Sequence, residues 1–309
     1  MPKIGVHVAK ISKVLNHDKN RKDMLQSIIS DTKELHIKAC QIFTHGPANS
    51  NTNKMDYDAI KTYCDSSNIN LYVHSAYITT GIWNVDKTNH KEKKSLYIIN
   101  LVVNHFIAAD LLGAKGLIIH TPKKEPEKIA ETIKLLISYI KKYKTPLILE
   151  MTAIKPDTLK TYETPQKINR LNDLLISKCA NYTNWGWCID TAHLWGAGIE
   201  VDNMKIMETW FNELKHPDKI LLFHLNGSSI DTFDTGKDNH KPVFASDDDI
   251  WNQDAHIDDG LDMKKIKKSS LSIIAKFAKK YNIDCICEIN RGSYQEIRFS
   301  IESLLSIFK

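Results

Sequence analysis

No run in this chain approaches the ~20 apolar residues that a membrane-spanning helix needs, so no membrane association is expected. The opening Met1-Pro2-Lys3-Ile4-Gly5-Val6-His7 enters a strand-like run at once and lacks the apolar stretch of a secretory signal. Cysteine is sparse: six residues, at 40, 64, 179, 188, 285 and 287, are too scattered for a secreted disulfide framework. An intracellular protein with mostly reduced thiols is expected, in cytoplasm or nucleus and not secreted. Low-complexity segments and Pro/Gly-rich linkers are missing as well, so residues 1–309 are expected to form a single domain. Neither sign of charge dominates. Lys plus Arg at 42 against Asp plus Glu at 37 leaves +5, an excess that allows an anionic partner without establishing one.

What is present is a soluble, core-forming composition, with 42% hydrophobic and 26% charged residues. Short Ile/Leu/Val-rich runs alternate with longer segments of helical spacing. Eight strands are expected: Lys3–Val8, Ala39–Thr44, Asn70–Ser75, Gly116–Thr121, Pro146–Met151, Gly186–Thr191, Lys219–Asn226 and Asp284–Asn290. Helices are expected between them over Met24–Leu35, Met55–Asp65, Lys94–Leu112, Pro126–Tyr143, Thr164–Lys178, Met204–Leu214 and Asp262–Tyr281, with Ser293–Phe308 last. In Pro126–Tyr143 the residues Ile129, Ile133, Leu136, Ile137 and Ile140 fall on one stripe. Strands alternating with helices imply a parallel sheet, and strands apolar throughout imply one covered on both faces. Eight such repeats in 309 residues predict an α/β fold, the TIM (β/α)8 barrel, with an open doubly wound sheet as the alternative. The stretch from Gly227 to Asp262 shows no convincing element. It is rich in polar groups: Asp231, Asp234, Asp238, His240 and Asp247–Asp249. Long loops of this kind carry the sites of barrel enzymes.

Chemistry gathers where the strands stop. Successive strands end in His74, His120, Glu150, Asp190, His224 and Glu288, each after an apolar run. In a barrel these ends share one face. His193 follows Asp190, and Asp238-x-His240 adds a second short-range pair. A lone His at a strand end is ordinarily a hydrogen-bonded core residue, and a lone Asp or Glu there ordinarily caps the next helix. His7 is left in that class; His17, His36, His90, His105 and His216 lie on helical or loop segments and carry no expected role. Six consecutive strand ends bearing such groups are different. Buried charge is costly without a partner, and bound cations would neutralise the cluster. Imidazole and carboxylate suit zinc and related ions. Nine donors exceed the three that one catalytic zinc takes, and fit two or three ions with a bridging carboxylate. Clustered metals suit phosphodiester hydrolysis.

The pieces that carry this pattern are Ile4-Gly5-Val6-His7-Val8, Gln41-Ile42-Phe43-Thr44, His74-Ser75-Ala76-Tyr77, Ile119-His120-Thr121-Pro122 and Glu150-Met151-Thr152-Ala153. Asp190-Thr191-Ala192-His193-Leu194-Trp195-Gly196-Ala197-Gly198, His224-Leu225-Asn226, Asp238-Asn239-His240 and Glu288 complete it. In this order the chain resembles the endonuclease IV family of zinc-dependent apurinic/apyrimidinic endonucleases. The resemblance implies a TIM barrel with three zinc ions. His74, His120 and Glu150 would hold the first. Glu150 would bridge to the second, held also by Asp190, His224 and Glu288. His193, Asp238 and His240 would hold the third. It further implies Glu150 and Glu288 as catalytic, and double-stranded DNA with abasic sites as the partner. Cleavage would fall 5′ to the lesion and leave a 3′-hydroxyl, with Tyr77 and Ile78 pressed into the DNA at the missing base. A monomer is expected.

The chain departs from the family at three places. Met151 and Ile154 stand where the family's Glu-Asn-Thr-Ala-Gly has Asn and Gly. The loop His45-Gly46-Pro47-Ala48-Asn49 lacks the usual Gln and Arg. Lys241-Pro242-Val243 replaces a Gly-rich stretch after the Asp-x-His motif. Asp254-Ala255-His256 competes with Asp238 and His240 for the third zinc; the spacing from His224 favours the latter. The alternative function is a xylose-isomerase-like sugar isomerase or epimerase, which would use one or two divalent metals.

Overall fold

The computed structural model describes residues 1–8, 23–46, 55–156, 160–244, 248–251, 256–257, 260–261, 269–289 and 293–309. Eight parallel strands close into a barrel: β1 (Ile4–His7), β2 (Ala39–Phe43), β3 (Asn70–His74), β4 (Leu117–His120), β5 (Leu147–Glu150), β6 (Trp185–Asp190), β7 (Ile220–His224) and β8 (Asp284–Cys287). They neighbour one another in sequence order, and β8 closes the ring by pairing with β1, Ile4 opposite Cys285. The eight strands fall where the apolar runs predict, mostly one or two residues shorter. Asn290 lies outside the described residues.

The connecting helices are α1 (Met24–Glu34), α2 (Tyr57–Ser66), α3 (Lys93–Leu111), α4 (Pro126–Ile140), α5 (Pro165–Lys178), α6 (Thr191–Gly196), α7 (Met204–Asn212), α8 (Ser270–Tyr281) and α9 (Tyr294–Ile307). Their ends are chemically marked. Asp23 and Asp56 accept from Leu25 N and Ala59 N and start α1 and α2. Pro126 and Pro165 occupy the first turn of α4 and α5, where a missing N–H costs nothing. Ser293 and Glu296 form a reciprocal capping box on α9. Asn282 ends α8 at φ 56°, the left-handed conformation that terminates many helices. Of the stripe on α4, Ile129, Ile133, Leu136 and Ile140 are buried against the barrel, and Ile137 is partly so. Residues 262–268 of the helix expected before Tyr281 lie outside the described residues. No helix among the described residues is long and apolar enough to cross a membrane.

The strand period of two sorts side chains between two cores. One face packs against the helices. The other fills the barrel with Ala39, Tyr72, Ile118, Ile148, Cys188, Leu222 and Ile286. Gly5 completes the ring, because a Cβ there would lie 2.1 Å from Ala39 O and hold β1 away from β2. This layer is a solid plug, as in other barrels of eight strands.

Candidate metal centre at the barrel mouth

Two residues beyond the plug, each strand aims its next inward side chain at the C-terminal mouth. These are His7, Gln41, His74, His120, Glu150, Asp190, His224 and Glu288. All are buried except His120, at 18% exposure. A bulge between Trp187 and Cys188 brings Asp190 level with His224 on β7.

Ligand-capable atoms gather in three overlapping sets: His74, His120 and Glu150; Glu150, Asp190, His224 and Glu288; Asp190, His193 and His240. Glu150 Oε2 lies 3.1 Å from His74 Nε2 and 3.2 Å from His120 Nε2, while its Oε1 lies 3.0 Å from His224 Nδ1. Asp190 Oδ2 lies 3.6 Å from His224 Nδ1 and 3.4 Å from His240 Nε2. Its Oδ1 accepts from Ala192 N at 2.7 Å and His193 N at 3.1 Å, capping α6. The ordinary capping role of a strand-end Asp and the donor role therefore coexist on one carboxylate. Asp238 Oδ1 lies 2.8 Å from His240 Nε2 and 3.5 Å from His193 Nε2. Eight of the nine expected donors fall in these sets; Asp190 stands in the third where Asp238 was expected, and Asp238 borders that set through His193 and His240. Asp254 and the side chain of His256 lie outside the described residues.

The histidine tautomers test whether a cation fits. His74 Nδ1 lies 2.8 Å from Ser75 O, His193 Nδ1 2.7 Å from Met151 O, and His240 Nδ1 3.1 Å from Glu288 O. A carbonyl oxygen only accepts, so each Nδ1 carries a hydrogen, and in its neutral form each ring would aim the Nε2 lone pair into the cluster. His224 is reversed: its Nε2 donates to Gln41 Oε1 at 2.8 Å, leaving Nδ1 toward Glu150, Asp190 and Glu288. His240 Nε2 makes no hydrogen bond despite its two carboxylate neighbours. Lone pairs facing carboxylate oxygens repel unless a cation lies between them, and outer hydrogen bonds that fix the tautomer are typical of metal-binding histidines. The donor set suits zinc.

Electrostatics agree. Burial opposes the charge on Glu150, yet the imidazoles of His224 and His120 hold its carboxyl well below the usual range. Burial likewise opposes ionisation of Asp190, and His193 and His240 overrule it. For Asp238, burial is outweighed by the neighbouring imidazoles of His193 and His240. Burial would neutralise His193, but Asp190 and Asp238 push it up to about 10. The carboxylates demand positive charge here, whether as protons or as metal.

Two residues of the centre carry no role in the sequence reading. Gln41 donates to Glu288 Oε1 at 2.5 Å while accepting from His224. Asn226 donates to Asp190 Oδ2 at 2.8 Å and accepts from Glu288 N at 2.7 Å. Each amide orients two members of the donor sets. His7, placed with the structural histidines, lies 3.0 Å from Glu288 Oε1. Over the first set, the Tyr77 ring stands 5.9 Å from His74 and 5.5 Å from His120. Tyr77 and Ile78 are 42% and 37% exposed. Behind them His105, assigned no role, is buried, its ring 3.9 Å from that of His45 and tilted by 44°. Its Nε2 accepts the Ala76 N–H at 3.4 Å. Burial and then the charges of His45 and His74 push it down to about 3, which keeps that acceptor neutral. Residues 47–49 of the divergent loop lie outside the described residues.

A closed parallel barrel with a buried His/Asp/Glu cluster at its mouth defines a (β/α)8 protein equipped for divalent cations. The chain belongs to the xylose isomerase-like TIM barrel family, whose model matches residues 29–269. A curated relative, a probable AP endonuclease of African swine fever virus, is 26% identical over 281 residues, 88% of this chain and 86% of the relative. Among solved structures, that of AsfvAP:AG superposes with a TM-score of 0.78 at 23% identity, covering 100% of this chain and 99% of the other. Endonuclease IV from Thermus thermophilus gives 0.68 at 16% identity, covering 99% and 98%. At these identities the two structures speak for the fold. The endonuclease resemblance drawn from the motifs is matched by the name of the curated relative.

Proposed function

We propose that this chain is a DNA-repair hydrolase that cuts the phosphodiester 5′ to an abasic site and leaves a 3′-hydroxyl, using three zinc ions. The observation that carries the reading is the sharing of Glu150 and Asp190 between neighbouring donor sets. Two carboxylates, each shared by two of the three sets, would bring bound cations close enough to act on one phosphate. The name of the curated relative supports the same reaction class.

His74, His120 and Glu150 would hold one ion, Glu150, Asp190, His224 and Glu288 a second, and His193, Asp238 and His240 the third. Bound zinc would supply activated water at neutral pH and offset charge on the attacking and leaving oxygens. The chain's own residues set the geometry. Gln41 and Asn226 orient Glu288, Asp190 and His224, so the donors need not reorganise when a phosphate arrives. Burial of Glu150 and Glu288, the proposed catalytic carboxylates, keeps bulk water from screening them. Tyr77 and Ile78 present exposed apolar surface beside the first set, suited to the gap left by a missing base. The net charge of +5 is compatible with a polyanion. The whole chain would act as one domain and as a monomer on double-stranded DNA inside the cell.

The test is incision of a duplex carrying one abasic site, before and after metal stripping, with zinc measured on the same sample. Metal-dependent cutting on the 5′ side with about three zinc ions per chain is expected. No cutting, with one or two metals bound, sinks the reading and points to the sugar isomerases and epimerases that share the barrel.

A further inference from the structure

Asp238 and His240 reach the mouth on the segment after β7, not on a strand. Gly227 and Lys241 exchange both backbone hydrogen bonds, each 2.9 Å, and pinch that segment into a loop. Asp249 lies just outside the pinch and is fully buried. Its Oδ1 accepts the Ser228 N–H at 3.0 Å, and its Oδ2 accepts the Phe244 N–H at 2.8 Å. Ser228 belongs to one leg of the loop and Phe244 to the other. Ile250 N donates to Ser228 O and Ile230 N to Asp248 O, both at 3.0 Å, and Lys241 pairs with Asp248. One carboxylate therefore ties both legs at the neck.

The arrangement is expensive in three ways. Burial pushes the Asp249 acid up to about 7, against the backbone N–H groups of Phe244, Ser228 and Trp251 and the charge of Lys241. Phe244 is held at φ 64°, a conformation that residues with a Cβ seldom adopt. Position 227 must be glycine, because a Cβ there would lie 2.2 Å from Asp249 Oδ1. An apolar side chain could fill the same space without a desolvated charge. Strain and buried charge persist together where a segment has a geometric task.

We propose that Asp249 is the positioning residue of the third donor set: by clamping both legs of this loop, it fixes where Asp238 and His240 meet His193. This rests on the reading that the set holds a metal. Asp249 bonds to backbone N–H groups of both legs, so its effect passes through the backbone.

The experiment compares the full chain with its Asp249→Asn and Gly227→Ala variants. Bound zinc is counted by elemental analysis, and amide hydrogen exchange at Ser228 and Phe244 is followed in metal-free protein. Asparagine keeps the shape but replaces one acceptor by an NH2 group; an alanine at 227 pushes on the carboxylate from the other side. Both variants should bind one zinc about 10–100-fold more weakly and leave the other two in place. Both should exchange faster at Ser228 and Phe244 before any metal is added. If Asp249→Asn fails to fold, Gly227→Ala carries the same comparison. Wild-type zinc binding with wild-type exchange overturns the proposal. A wild-type chain that itself binds fewer than three zinc ions, or leaves abasic DNA uncut, fails the functional reading instead, and exchange then decides on the clamp alone.

Discussion

Both ends of the barrel bury carboxylates, two residues to either side of the same apolar plug, and they treat them in opposite ways. At the bottom, Asp284 sits among donors: Lys3 N at 2.8 Å, Asn70 Nδ2 at 2.5 Å and Tyr72 OH at 3.0 Å. Every close partner brings a hydrogen, so the charge is satisfied by the protein itself. At the mouth, Asp190 and Glu288 take some amide donors, but Glu150, Asp190, Asp238 and Glu288 also face ring nitrogens of His74, His193, His224 and His240 whose opposite nitrogens are committed to carbonyls or to Gln41. The first network is complete and reads as architecture. The second is complete only with added positive charge and reads as a centre of chemistry. The same residue type at a strand's start and at its end thus means different things, and the direction of the neighbouring hydrogens tells them apart.

The sharpest way to break this contrast is Glu150→Gln, which removes charge from two donor sets at once. Incision of abasic duplex should fall by more than about 10³-fold, with zinc content reduced and the circular dichroism of the barrel retained. Retained cutting would remove Glu150 from the centre. A smaller effect is expected from Gln41→Leu, which frees His224 to take the other tautomer and leaves Glu288 without its amide donor. Zinc titration should show affinity at the second set weakened by about 10–100-fold. Unchanged affinity would mean that the donors orient themselves. The smallest functional effect belongs to the bottom of the barrel. Asp284→Asn should lower unfolding free energy by about 2 kcal/mol in a denaturant titration, because a charged acceptor of several hydrogen bonds is lost. Zinc content and rate per folded molecule should stay at wild-type values; a loss of zinc there would erase the distinction between the two ends.

Much of this was legible in the sequence, for definite physical reasons. Barrel strands are covered on both faces, so β4 to β8 read as apolar runs, and a polar residue at the end of each stands out. Donor spacing in Asp190-x-x-His193 and Asp238-x-His240 showed in one dimension because the members of each pair are sequence neighbours. Gln41 was not legible as an orienting group, since a neutral amide in a strand resembles any other polar interruption. Its meaning comes from His224 and Glu288, 183 and 247 residues away. Asp249 was hidden for a different reason: within Asp247–Asp249 it looks like part of a solvated acidic run, and only folding buries it. His105 was misleading because a histidine inside a helix carries no sign of which loops the helix will support. The segment after β7, without a convincing element in the sequence, contains a single turn of 3-10 helix at Ile230–Thr232 and a two-residue hairpin of His256–Ile257 with Gly260–Leu261. Both are too short to leave a periodic signal.

The hydrogen bond between Gln41 and Glu288 spans 247 residues and joins the second strand to the end of the last. A chain emerging from the ribosome therefore carries most of its donors long before the barrel can close over them. Until β8 arrives and pairs with β1, Glu288 is missing and His224 lacks one of its carboxylate neighbours. A half-made or clipped molecule would lack the assembled donor cluster. Closure of the ring thus completes the donor cluster in the same step that completes the barrel.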